Sequence, residues 1–290
     1  MRKATLLVIL SLCALSVQAQ ERLRPTTVIE PAAPAENIGL VQHPWTGKKV
    51  LFIGDSITDP RDKHNIDRHY YDWLSDWLGI TAYVPAVSGW EMKHVDTEVR
   101  MFQATAPGVQ PDMICIMLGT NDYNMGVPIG EWYEESMGEV EASVGEPKQF
   151  YKRLHRTFLF DESTFKGRIN IAVKLLKETF PGTPITFLTP IHRALFDYGD
   201  NNYQPEETWQ NRGGLYLDAY VDAIKEVAHV WSVNVIDLHA VSGFFPILDS
   251  DATLFYKDTA IDRLHPNDAG HRHLAEILLY QSLLLPCRSK

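Results

Sequence analysis

Lys49-Val50-Leu51-Phe52-Ile53-Gly54-Asp55-Ser56-Ile57-Thr58 joins an unbroken apolar run to a glycine and then delivers a serine. Residues 50–53 show neither the alternation of a half-buried strand nor the spacing of an amphipathic helix. They read as a parallel strand covered on both faces. Gly54 permits the tight turn of a strand-to-helix junction, and Ser56 falls where a helix is expected to open. A serine there is lifted clear of the sheet, beside unpaired backbone N–H groups that can stabilise a developing negative charge. Ser56 is therefore a candidate nucleophile; the competing reading makes it only a helix N-cap.

The pattern repeats along the chain. Strands are expected at 81–84, 113–118, 184–189 and 233–236, the second of these an apolar run that stops at Gly119. Helical spacing marks 66–79, 92–104, 167–180, 215–231 and 267–284, with Trp73 and Trp77 read as core packing. Five strands separated by helices predict an α/β domain with a parallel sheet wound on both faces. Residues 123–166 show no clear strand and read as an elaboration near the site, and 192–212 as a polar loop. Ligands bind at the carboxyl ends of parallel strands, and Ser56, Gly89, Asn121 and His192 all follow strand candidates directly or closely.

Of the 290 residues, the first nineteen carry Arg2 and Lys3, an apolar run from Ala4 to about Val17 and a small-residue cleavage site at Val17-Gln18-Ala19. This is the pattern of a secretory signal peptide, with a secreted or periplasmic mature chain expected. Leu12 precedes Cys13 where a lipoprotein signal wants a small residue. Losing Arg2 and Lys3 moves the formal charge from -10 to -12. An acidic chain without a basic stripe offers no footprint for phosphate backbones, so no nucleic-acid partner is expected. Nor is a membrane span expected in the mature chain. Residues 20–46, with Pro25, Pro31, Pro34 and Pro44, read as an extended or poorly ordered leader, and 47–290 as one catalytic domain. Cys115 and Cys287 remain after cleavage, and a chain of this size needs no disulfide framework. His271 and His273 are two apart, on different helix faces, so neither a metal nor another cofactor is expected.

Acyl transfer by serine needs a base, a group that holds the base, and donors aimed at the oxyanion. In Asp262-Arg-Leu-His265, read as a loop before the last helix, the carboxylate can bond the near ring nitrogen and leave the other for Ser56. The backbone N–H groups of Ser56 and Gly89 and the side-chain amide of Asn121 are candidate oxyanion donors. Asp55 and Asp122 read as acceptors that fix two turns. Trp90 and Tyr123, beside those donors, are candidate substrate contacts, as are His192 and Arg193, for which a solvated-loop reading competes.

Gly54-Asp55-Ser56, Gly89, Gly119-Thr-Asn-Asp122 and Asp262-Arg-Leu-His265 resemble the successive blocks of the SGNH (GDSL) hydrolase family, and the likeness spans the whole domain. The resemblance implies a three-layer α/β/α, flavodoxin-like fold with a five-stranded parallel sheet, and ester hydrolysis through an acyl-enzyme. It assigns Ser56 as nucleophile, His265 as base, Asp262 as its partner, and Ser56, Gly89 and Asn121 as the oxyanion hole. One departure is visible: Val84-Pro85-Ala86 stands where the second block often carries an asparagine. The α/β-hydrolase signature G-X-S-X-G is missing. The expected substrate is a small-molecule or glycan ester, with removal of a short acyl group such as acetate from a carbohydrate as the leading reading. A lipase or lysophospholipase on longer acyl chains is the alternative, and a non-catalytic binding module of the same fold the third. The oligomeric state is not legible.

Overall fold

A computed structural model describes residues 23–31, 43–62, 66–143, 145 and 147–286. The signal-peptide reading, part of the leader and Cys287 lie outside them. The elements run β1 (Thr27–Ile29), β2 (Lys49–Gly54), α1 (Tyr70–Leu78), β3 (Thr81–Val84), α2 (Val95–Thr105), β4 (Met113–Met117) and α3 (Thr120–Asn124). After a hairpin, β5 (Tyr133–Ala142) and β6 (Gln149–Phe158), come α4 (Phe165–Thr179), β7 (Ile185–Leu188), β8 (Phe196–Asp197), β9 (Tyr203–Gln204) and α5 (Leu217–Trp231). The chain closes with β10 (Asn234–Ile236), α6 (Leu238–Val241), α7 (Asp249–Phe255), β11 (Tyr256–Asp258), β12 (Asp262–Pro266) and α8 (Asp268–Gln281).

The main sheet has the order β1-β3-β2-β4-β7-β10. The pairs among β3, β2, β4, β7 and β10 are all parallel, which in chain order is the flavodoxin-like arrangement 2-1-3-4-5. Successive side chains of a strand point to opposite faces, so each apolar run feeds two cores. Leu51, Ile53, Ile114 and Ile116 pack with Phe102 of α2, Ile169 and Val173 of α4 and Ile224 of α5. Val50, Phe52, Met113, Cys115 and Met117 pack on the other side with Tyr71 and Leu74 of α1 and Leu274 and Leu278 of α8. The helices start on side-chain caps where the sequence offers one: Thr164 accepts from Gly167 N at α4 and Asn267 from Gly270 N at α8. Among the described residues no helix is long and apolar enough to cross a membrane.

Four expectations are revised. The leader's Thr27–Ile29, rich in β-branched residues, adds to β3 as an antiparallel edge strand, and Trp45 at the leader's end is fully buried. Residues 55–58 form a hydrogen-bonded turn, with Thr58 N and Asp59 N both donating to Asp55 O, and the first regular helix starts only at Tyr70. Within 123–166 lies a hairpin of two ten-residue strands. Only its base, Tyr133 and Phe158, packs against the core beside Trp231; beyond that both faces are exposed and carry no hydrophobic periodicity, and cross-strand pairs such as Glu135 with Arg156 and Met137 with Leu154 hold it. Residues 192–212 contain β8 and β9, which join β12 and β11 in a second, four-stranded sheet of order β11-β12-β8-β9.

Gly54 closes β2 where there is no room for a side chain: a Cβ would lie 2.5 Å from Oγ1 of buried Thr58, which meets the Tyr70 hydroxyl at 3.1 Å. Gly54→Ala is expected to destabilise the protein by about 1–3 kcal/mol, read from urea denaturation, because Thr58 must leave its place.

Candidate active site

Three strand ends converge at one edge of the sheet. The turn after β2 presents Ser56, the loop after β3 presents Gly89 and Trp90, and α3, directly after β4, presents Asn121. From the second sheet, β12 brings Asp262 and His265, a strand rather than the expected loop. His265 Nε2 lies 2.9 Å from Ser56 Oγ, a contact between residues 209 positions apart. His265 Nδ1 is 3.0 Å from each carboxylate oxygen of Asp262, whose Oδ1 also accepts from the backbone N–H groups of Leu264 and His265. Burial acts to raise the Asp262 carboxyl, but the His265 ring and these N–H groups outweigh it and hold it below the usual range. With the carboxylate fixing the Nδ1–H tautomer, Nε2 faces the hydroxyl as an acceptor. Such a chain can take a proton from Ser56. Phe196, in register with Asp262, packs edge-on against the imidazole at 5.0 Å.

Ser56, Gly89, Trp90, Asn121, Asp262 and His265 all line one cleft of about 700 Å³. Gly89 has φ +81°, a conformation side chains rarely adopt. Its loop is tied to the serine turn by Asp59, whose Oδ2 accepts from Ser88 N at 2.8 Å and from Ser88 Oγ at 3.0 Å. Arg61 grips the same carboxylate through two bonds and donates to Ala86 O. The Asn121 amide donates to Trp90 O at 3.0 Å and has a long 3.4 Å contact with Asp55.

Acidic groups brace the site from below. Asp55 Oδ1 accepts from Ile57 N, and Asp122 accepts from Met92 N and from Arg168, which also holds Glu91. Burial pushes the Asp55 carboxyl up to about 7, with Ile57 N–H and Arg193 pulling against it. Burial likewise raises Asp122 to about 6, against Met92 N–H and Arg168. Glu98, fully buried, accepts from Gly54 N, and burial raises it well above the carboxylate range. Asp55 and Asp122 accept from backbone N–H groups of the turns, the role the sequence suggested for them, and Glu98 adds a third such acceptor.

Tyr123, His192 and Arg193 do not line the cleft. Tyr123 is buried and donates to Trp209 O. Arg193 is fully buried and donates to Thr120, Asn124 and Gln204, burial lowering it to about 10; it braces α3. His192 pairs with Glu207. His271 is buried among His69 and Tyr70, whereas His273 reaches Ser242 O, as different helix faces require. The cleft is completed by residues that sequence reasoning passed over, among them Asp59, Arg61, Ser88, Phe196, Tyr198 and Lys257. Asp59 and Arg61 were within reach, since they follow Ser56 in the same turn; Phe196 and Tyr198 carry no motif.

A search of the curated proteins found no significant match. Among solved structures, a protein from Lactobacillus plantarum is 24% identical, with 81% of this chain and 96% of that one covered at a TM-score of 0.59. A structure described as a possible lipase from Chitinophaga pinensis is 18% identical, with 81% and 97% covered at a TM-score of 0.58. At these identities the likeness is one of fold. The model of the GDSL-like Lipase/Acylhydrolase family matches residues 52–273, from the serine strand through the His265 strand into α8. Over three quarters of its length, therefore, the chain is that of a carboxylic ester hydrolase and belongs to the GDSL-like lipase/acylhydrolase family.

Proposed function

We propose that the protein is a serine esterase that removes a short acyl group, such as acetate, from a carbohydrate, with Ser56 as nucleophile, His265 as base and Asp262 as its orienting partner. The observation that supports this most is the unbroken hydrogen-bonded chain from Asp262 through His265 to Ser56 at the wall of the cleft. Ser56 Oγ attacks the ester carbonyl as His265 Nε2 takes its proton, and the imidazolium then protonates the departing alkoxide. Water, deprotonated by the same nitrogen, attacks the acyl-serine, and the imidazolium returns that proton to Ser56 Oγ as the carboxylic acid leaves. The backbone N–H groups of Ser56 and Gly89 and Nδ2 of Asn121 receive the oxyanion. One Asn121 hydrogen stays on Trp90 O; the other exchanges its long contact with Asp55 for the substrate oxygen.

The lining favours a sugar over a long acyl chain. Ser88, Asn202 and Gln204 offer partners for hydroxyl groups, and Trp90 and Tyr198 offer ring faces. A long hydrocarbon chain would need a continuous apolar wall. The signal-peptide pattern of 1–19 supports export to the periplasm or beyond, with 47–290 as the catalytic unit.

Ser56→Ala is expected to lower kcat on p-nitrophenyl acetate by at least about 10³-fold with the circular-dichroism spectrum unchanged. Retained turnover removes Ser56 as nucleophile. Across p-nitrophenyl esters from acetate to palmitate, kcat/KM should be highest at acetate, whereas a rise with chain length supports the lipase alternative and no turnover the binding module. Asn121→Ala should reduce kcat by about 10²–10³-fold with little change in KM. Asp262 is held below its unfolded value, so its contribution to stability is fully present above about pH 4 and disappears as pH falls through the folded value. Chemical denaturation between pH 2 and 6 should therefore show a shallower acid-side loss in Asp262→Asn than in the parent.

A further inference from the structure

Away from the cleft, His192, Glu207 and His239 each offer a ligand atom within 4.8 Å of the others. His192 Nδ1 lies 2.5 Å from Glu207 Oε1, and the two imidazole rings face each other with centroids 3.6 Å apart and planes inclined by 33°. The histidines come from different parts of the chain, one after β7 and the other in α6, with no motif spacing between them. We propose that these three residues bind a divalent transition-metal ion, Zn²⁺ above all, and that Asp218 completes the set.

The donor chemistry fits: two imidazoles and a carboxylate are a zinc set, and a second carboxylate balances the charge of the ion. Two of the ligands, His239 and Glu207, have their remaining polar atom held as a metal site requires. His239 Nδ1 lies 3.3 Å from Pro190 O, so it carries the hydrogen and leaves Nε2 as the donor. That Nε2 lies 3.7 Å from Asp218 Oδ1. Glu207 Oε2 accepts from Arg193 N at 2.8 Å, which turns Oε1 to the cluster. The backbone is anchored too: Tyr256 OH donates to His192 O, and His239 N donates to Thr189 Oγ1. Donors of a tetrahedral zinc ion stand about 3.3 Å apart, so on binding His192 and Glu207 would separate and the two facing imidazole rings would splay to aim their lone pairs at one point. The three inner ligands are 11–22% exposed and Asp218 81%, which leaves an entry path on the Asp218 side.

The ion would act on the cleft without touching substrate. His192 and Glu207 bracket the segment that carries Phe196, Tyr198, Asn202 and Gln204 into the lining. A metal joining them to His239 closes that segment into a ring and fastens it to α6.

The test is direct metal binding by the full chain after chelator treatment, so it does not depend on the esterase mechanism. Calorimetric titration with Zn²⁺ is expected to show one equivalent bound with Kd below about 10 µM, and Co²⁺ to give the intense visible bands of a tetrahedral site. Zn²⁺ should raise Tm. His239→Ala and Glu207→Gln should each weaken binding by about 100-fold and abolish the Tm rise, and Asp218→Asn should weaken it by about 10-fold. Glu207→Gln keeps an oxygen for Arg193 N and so preserves the fold; the Co²⁺ spectrum of the unmutated chain decides the matter should His239→Ala not fold. No uptake at 100 µM metal, or uptake unchanged in both variants, overturns the site and leaves a hydrogen-bonded Glu–His pair beneath a packed second imidazole.

Discussion

β2 must bury both of its faces, and the rest of the molecule is arranged to meet that demand. A strand reading Val50-Leu51-Phe52-Ile53 cannot rest on water on either side, so helices must cover each. Placing β3 and β4 on its flanks makes it the strand at which the chain's winding direction reverses. A reversal opens a crevice beyond the carboxyl end, and that is where Gly54 and Ser56 emerge. The cleft is thus a by-product of hydrophobic burial, and the chemistry occupies a gap that the packing creates.

Holding side chains in that gap requires polar groups where water is scarce. Asp59 clips the Gly89 loop to the serine turn, Arg168 ties Glu91 of that loop to Asp122 of the Asn121 helix, and Arg193 supports that helix from within. Burying Arg193, Asp55 and Glu98 sacrifices solvation that their partners restore only in part, since Arg193 Nε and Glu98 Oε1 meet none among the described residues. Their shifted titration follows from position, since each lies under a turn that must not move. Preorganisation here rests on buried polar groups set within the apolar packing.

Legibility in the sequence followed the physics of each element. Parallel strands and their helices were readable because burial on two faces leaves continuous apolar runs, as at 50–53 and 113–117. Asp262, His265 and Ser56 were singled out through short blocks whose residue types match one chemistry, and their side chains meet within hydrogen-bond distance. The hairpin was invisible because Glu134 to Arg156 is solvated on both faces. Neither the substrate-contact nor the solvated-loop reading anticipated that Arg193 turns inward to full burial, because proximity to a strand end in sequence does not say which way a side chain turns. Phe196 and Tyr198 enter the cleft through a second sheet whose strands are only two residues long near them, too short for any period to register.

The β5–β6 hairpin has no third layer, and a lone pair of strands is only marginally stable in water. Its amide hydrogens are protected by single cross-strand bonds, whereas those of β2 and β4 are shielded by both cores. The molecule consequently has two opening free energies: a low one for the hairpin, near the cost of local unzipping, and a high one for the sheet, equal to global unfolding. In deuterated solvent the two would exchange on separate timescales. The hairpin lends no residue to the cleft, so its outer part can open without disturbing the lining.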